Sequence, residues 1–229
     1  LIIFSGIVSR FPQGLYAMIE AKEPWWMFAL ILLVLVLVIF AIVYVTQGRR
    51  NVPVMFPGRR IGNRMSMPVR SNLPLMVNMA GMIPIIFAQS FITFPSILAT
   101  FFVNSKTAWV AKAANWTAKA FGAETAWYPL MFFVLVVAFS FFYTDVLFAQ
   151  QNYGDNLKKQ GAQIPGVVRG KPTQDYLTRV QRRITLPGAF FLGLVAVLPY
   201  ILGVFLPSSS SARFLMSASG LLIVVGTIR

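Results

Sequence analysis

The side chains that most often carry out enzyme chemistry are scarce in this sequence. It has no histidine and no cysteine, which excludes Ser–His catalysis, thiolate nucleophiles and metal sites built from those ligands. Of its six carboxylates, only Asp145 falls on a predicted helix, near one end, so a facing pair of intramembrane aspartates is also excluded. Nucleotide-binding glycine loops do not occur. We therefore predict that the chain is not an enzyme and has no cofactor or metal.

The charged groups that are abundant are cations, and they are clustered. Thirteen of the twenty lysines and arginines lie in two loops between apolar runs, at about residues 47–72 and 150–183. By the positive-inside rule, both loops are predicted to face the cytoplasm. The same charges are suited to binding acidic partners or ribosomal RNA.

The elements that must position these loops are apolar helices. The chain of 229 residues is 57% hydrophobic and 11% charged, and charge-free runs cover residues 27–48, 71–105, 125–144 and 184–212. About 20 helical residues cross a bilayer core, whereas barrel strands would alternate apolar with polar residues, which Leu30–Phe40 does not. We predict an all-α polytopic membrane protein with six transmembrane helices. Their predicted ranges are about 1–19, 26–46, 73–102, 127–149, 184–206 and 214–228.

Two features of these segments go beyond hydropathy. The run 73–102 contains Pro74, Pro84 and Pro95, together with the polar Asn78 and Gln89. Such residues indicate either a face turned to protein or a cavity, or an ordinary kinked packing helix, and composition leaves both open. Turn signals in 48–65 predict a short hairpin, and lysines and tryptophans at helical spacing in 108–121 predict a surface helix along the outer interface.

Four segments resemble one family. LPLMVNMAGMIPIIFAQSFITFP (73–95) is similar to the seventh helix of the SecY family, and residues 155–192 resemble the loop between its eighth and ninth helices with the start of the ninth. LIIFSGIV (1–8) and SGLLIVVG (219–226) are similar to its fifth and tenth helices. The resemblance implies the C-terminal half of a ten-helix protein-conducting channel. It further implies the pore-forming subunit of the bacterial protein translocase, which passes unfolded secretory polypeptides and releases transmembrane segments into lipid.

The resemblance also implies roles for individual residues, named here by motif. An apolar pore ring would comprise Ile3, Ile7, Ile86 and Ile223, and the lateral gate would include Asn78 and Gln89 on helix 73–102. Docking of a motor or ribosome would fall to Arg59, Arg60, Arg64, Lys158, Lys159, Arg169 and Lys171. The second loop departs from the family pattern, because it reads PGVVRG where PGIRPG is usual.

The implied partners are the SecE and SecG subunits, the SecA motor or the ribosome, the translocating polypeptide, membrane lipid and the N-terminal half of the same protein. The implied location is the bacterial plasma membrane. Two other classes remain open at this level: a secondary transporter of small solutes, and a membrane scaffold subunit. Ion-coupled solute uptake would favour the transporter, whereas crosslinks to a nascent chain would favour the channel.

Overall fold

A computed structural model of the chain describes residues 25–57, 60–61, 64–65, 67–103, 107–122, 125 and 127–205. Over these residues the helices are α1 (Trp25–Gln47), α2 (Ile83–Phe102), α3 (Ala108–Ala120), α4 (Tyr128–Gln151), α5 (Tyr153–Lys159) and α6 (Lys171–Phe205). The strands are β1 (Arg49–Phe56), β2 (Arg60–Ile61), β3 (Arg64–Met65) and β4 (Val69–Met76). The predicted helices 1–19 and 214–228 lie outside the described residues, as do Ile3, Ile7, Arg59 and Ile223.

Within the described part of the chain, three helical stretches are long and apolar enough to cross a membrane: Ile83–Phe102, Tyr128–Lys159 and Lys171–Ile201. The last of these begins well before residue 184, where the sequence analysis starts the helix. Charge-free windows locate only the apolar half of α6. Its charged half is helical as well, because Thr173, Leu177 and Gln181 are buried at a spacing of four residues and give it one packed face.

The prediction of a helix from residue 73 is wrong at its beginning. Residues 69–76 form β4, which pairs antiparallel with β1 from Arg49 opposite Met76 to Phe56 opposite Val69. Helix α2 begins only at Ile83, with a proline in its first two positions. A run without charges indicates that a segment is buried or in lipid, but it does not distinguish a helix from a strand. Here Leu75 is buried between the exposed Pro74 and Met76, which is the alternation of a strand.

The chain divides into two compact units. The bundle unit contains the described residues within 25–43, 81–139 and 190–205, and the hairpin unit contains those within 44–80 and 140–189. In the bundle unit, α2 buries Ile85, Ala88 and Ile92 against the other helices, while α4 contributes a stripe of buried residues four apart. That stripe is Tyr128, Phe132 and Val136. This spacing places each set on one helical face, which accounts for the apolar core.

The hairpin unit has a core of its own. Val52 and Val54 of β1 and Leu75 of β4 point inward by strand alternation and pack with Phe148 of α4 and Leu177 of α6. The hairpin predicted for residues 48–65 is therefore part of a longer hairpin, whose arms are β1 and β4 with the two-residue strands β2 and β3 between them.

Candidate functional site

The two basic loops meet in the hairpin unit. The backbone N–H of Met55 on β1 donates to the carbonyl oxygen of Gln163, and the N–H of Gln163 donates to the carbonyl oxygen of Met55, each at 2.8 Å. The loop after α5 therefore adds a single bridge to the edge of β1 that faces away from β4. Pro53 lies two residues away on that same edge, where the missing N–H costs the β1–β4 ladder nothing.

A basic surface surrounds this bridge. We use the term joined basic loops for residues 49–76 and 153–171 of the hairpin unit. Among their cations whose side chains the structure describes, none forms an ion pair with another described residue, and all are exposed. The exposed set is Arg49, Arg50, Arg70, Lys158, Lys159, Arg169 and Lys171. Arg60 and Arg64 lie on β2 and β3, respectively. Unpaired cations on a rigid support are what an anionic surface needs to dock.

Local backbone geometry presents Arg169 to solvent. The neighbouring Gly166 and Gly170 adopt φ values of +80° and +95°, which side chains with a Cβ rarely tolerate, so the chain turns sharply on both sides of the arginine. The Thr173 hydroxyl donates to the Val168 carbonyl oxygen at 2.7 Å and closes this turn onto the start of α6. The departure from PGIRPG to PGVVRG thus leaves an exposed arginine in an ordered loop.

The helices beneath the loops are tied to the hairpin by contacts that hydropathy does not reveal. The Nε2 of Gln181, which is 1% exposed, donates to the Met76 carbonyl oxygen at 3.1 Å. A Cβ added at Gly188 would lie 2.9 Å from the Val77 carbonyl oxygen, so α6 approaches the hairpin end more closely than any larger residue allows. Neither residue was predicted to matter from the sequence, where the one available signal was a glycine inside a predicted helix.

The two residues assigned to the lateral gate belong to different units. Asn78 is half-buried in the connection between β4 and α2, so its predicted position on a helix is wrong. Gln89 is half-buried on α2, and its Nε2 donates to the Tyr128 hydroxyl of α4 at 3.2 Å and to the Thr93 hydroxyl at 3.4 Å. Gln89 therefore turns its polar group toward a neighbouring helix and forms an interhelical hydrogen bond.

Of the pore-ring residues, Ile86 is the one that the structure describes. It lies half-buried on α2, next to the fully buried Ile85 and one turn before the exposed Ser90, whose hydroxyl donates to the Ile86 carbonyl oxygen at 2.9 Å. Ile86 thus stands at the edge of the packed face of α2. Over the described residues, no group of three potential metal ligands occurs.

Comparison with known proteins adds to this geometry. The family description SecY matches residues 1–229. This chain belongs to the SecY family. Relatives named "Protein translocase subunit SecY" are 36% identical over 99% of this chain in Streptomyces coelicolor, 36% over 100% in Chlamydia trachomatis and 34% over 99% in Micrococcus luteus. The chain spans about half of their length, 51%, 51% and 52% respectively.

Membership of the SecY family confirms the resemblance and the prediction of a helical polytopic membrane protein. The described residues also form four strands, so the fold is mostly helical and not all-α, and the number of six spans stays a prediction. The described part is mostly helical, and its three membrane-capable stretches agree with a polytopic membrane protein. The joined basic loops are then a surface of a SecY-family chain.

Proposed function

We propose that this chain forms the C-terminal half of the pore subunit of a protein translocase in a bacterial plasma membrane. In the complete protein it would pass unfolded secretory polypeptides and release transmembrane segments sideways into lipid. Its relatives in the SecY family are named as translocase subunits, which supports this function. Nothing in the described residues favours a solute transporter.

The observation that carries the proposal is the joining of the two basic loops. The joined basic loops contain ten cations against one carboxylate, and a pair of backbone hydrogen bonds fixes one loop on the other. We assign this surface to the cytoplasmic side and to docking of the SecA motor or the ribosome. SecE and SecG would accompany the subunit in the membrane.

The pore ring and the lateral gate are parts of the same proposal. The half-buried position of Ile86 leaves part of its side chain for a lining, where Ile3, Ile7 and Ile223 would join it. Gate opening would require α2 to move relative to a neighbouring helix, and the hydrogen bond from Gln89 to Tyr128 of α4 is one contact that such a movement could break. Asn78 would act from the connection before α2.

The experiment that tests the docking function uses the complete protein with its partner subunits. The double reversal Arg169→Glu and Lys171→Glu should weaken binding of the motor or ribosome about 10- to 100-fold at low salt, because each lost surface contact is worth about 1 kcal/mol and reversal adds repulsion. The difference should shrink as salt is raised. Lys112→Glu with Lys119→Glu, two exposed cations on α3 of the bundle unit, is the matched control. Equal weakening in both double variants would argue against docking on the joined basic loops.

A further inference from the structure

A cavity of about 620 Å³ lies in the hairpin unit between α4 and the charged half of α6. Helix α4 contributes Phe141. The remaining lining comes from one face of α6, where each residue has another three or four positions away: Asp175, Thr178, Arg179, Arg182, Arg183 and Leu186. This face lies beyond residue 171 and is distinct from the joined basic loops, so the docking function does not use it.

The cavity lies at the level where both helices change from apolar to charged. Asp145 directly follows the charge-free run 125–144 of α4, and Arg183 directly precedes the charge-free run 184–212 of α6. The structure brings these two boundaries together through an ion pair between Arg182 and Asp145. The Nε of Arg182 donates to the two carboxylate oxygens at 3.1 and 3.2 Å, and its Nη2 donates to Oδ2 at 2.9 Å. Since α4 and α6 are membrane-capable, this shared boundary is where lipid headgroups would lie.

Two of the arginines at the cavity have no carboxylate partner among the described residues. Asp145 is engaged by Arg182, whereas the guanidinium groups of Arg179 and Arg183 are exposed and form no ion pair with any described residue. Asp175 stands one turn before Arg179 and does not pair with it. Two guanidinium groups are therefore available beside the apolar Phe141 and Leu186, the latter 60% exposed.

We propose that this cavity binds an anionic phospholipid from the leaflet on the side of the basic loops. The phosphate would accept hydrogen bonds from Arg179 and Arg183, whose planar groups match its oxygens, and an acyl chain would cover Leu186 and Phe141. The cavity volume is in the range of small-molecule sites. A water-soluble phosphate would account for the arginines but would leave Leu186 exposed to water.

The test measures lipid selectivity in the complete protein reconstituted in phosphatidylcholine. The motionally restricted fraction of spin-labelled phosphatidylglycerol, compared with spin-labelled phosphatidylcholine, gives the relative association constant. Arg179→Gln with Arg183→Gln should lower the preference for phosphatidylglycerol about fivefold or more, because it removes both guanidinium groups that would hold the phosphate in the cavity. The control Arg49→Gln with Arg50→Gln removes two exposed cations of the same unit outside the cavity and should change it less than about twofold.

A second variant keeps every charge. Leu186→Ser alters an exposed side chain, so folding should be preserved, and it should weaken phosphatidylglycerol binding if an acyl chain lies there. Equal losses in the two arginine pairs would mean general electrostatic attraction and would overturn the site. Full competition by soluble glycerol phosphate, or wild-type lipid binding by both the cavity pair and Leu186→Ser, would overturn it as well.

Discussion

Replacing Gln163 with proline removes one of the two hydrogen bonds that join the basic loops. Proline has no N–H, so the bond from residue 163 to the Met55 carbonyl oxygen is lost, while the carbonyl oxygen of residue 163 remains able to accept from Met55. The side chain of Gln163 is exposed, and the buried Ala162 and Ile164 on either side keep the loop in the core of the hairpin unit. The substitution therefore acts on the bridge and spares the fold.

The expected size of the effect follows from the bonds involved. A hydrogen bond of this kind contributes about 1 kcal/mol net, so losing one should raise the open population of the bridge about fivefold. If the second bond fails with the first, the increase should be about 30-fold. The loop would still be held from its other end, because the Ala162 N–H donates to the Leu157 carbonyl oxygen at 2.8 Å.

Hydrogen exchange of the Met55 amide reads this opening directly. Gln163→Pro should speed its exchange by the factors above, whereas Gln163→Ala keeps the backbone N–H and should leave it unchanged. Val54, which lies opposite Ser71 of β4, reports on the hairpin itself and should exchange alike in all three proteins. If Met55 exchanges at one rate in the proline and alanine variants, the bridge does not hold the loops together and the reasoning fails.

Two further predictions concern the helices. In the complete channel, Ile86→Asn should raise ion leak in planar bilayers, because a polar side chain hydrates an apolar constriction. The control Leu37→Asn, at a position 59% exposed on α1, should leave conductance at the wild-type level. Equal leak in the two variants would show that Ile86 is not part of the pore ring. Gly188→Ala should lower the thermal stability of the solubilised protein. Overpacking against Val77 costs about 1–3 kcal/mol, which exceeds the gain of about 1 kcal/mol in helix propensity. Unchanged or raised stability would contradict the close approach of Gly188 to Val77.

Sequence patterns were most informative where one local property decides the structure. The helix predicted at 108–121 is observed as α3, since its amphipathic spacing is complete within thirteen residues, and its place along the outer interface stays a prediction. The apolar segment at 26–46 likewise corresponds to α1, which runs from Trp25 to Gln47. Strand β4 was missed because its apolar residues continue into α2 without a charge between them, and only pairing with β1 separates the two.

The sequence predicted which residues form the candidate site but not how they are arranged. The number and exposure of its cations follow from composition, because clustered lysines and arginines are too costly to bury without partners. Their arrangement does not follow, since the bridge between Met55 and Gln163 joins segments that are separated in the chain by four helices, α2 to α5. Asp145 was the one carboxylate on a predicted helix, although Asp155 and Asp175 lie on α5 and α6 as well. Its partner Arg182 could not be chosen from the sequence among the many cations of the second loop.

Hydropathy and charge alone identified this chain as a helical membrane protein, because the free energies of lipid and water contact sum residue by residue along the sequence. The resemblance to the SecY family was also recognised from the sequence, through motifs that occur in the same order and spacing. Only the tertiary structure decided that the two basic loops form one surface, that α6 begins at Lys171, and that the apolar boundaries of α4 and α6 meet at Asp145 and Arg182. These features depend on hydrogen bonds and close contacts between residues far apart in the chain, whose geometry no local sum contains.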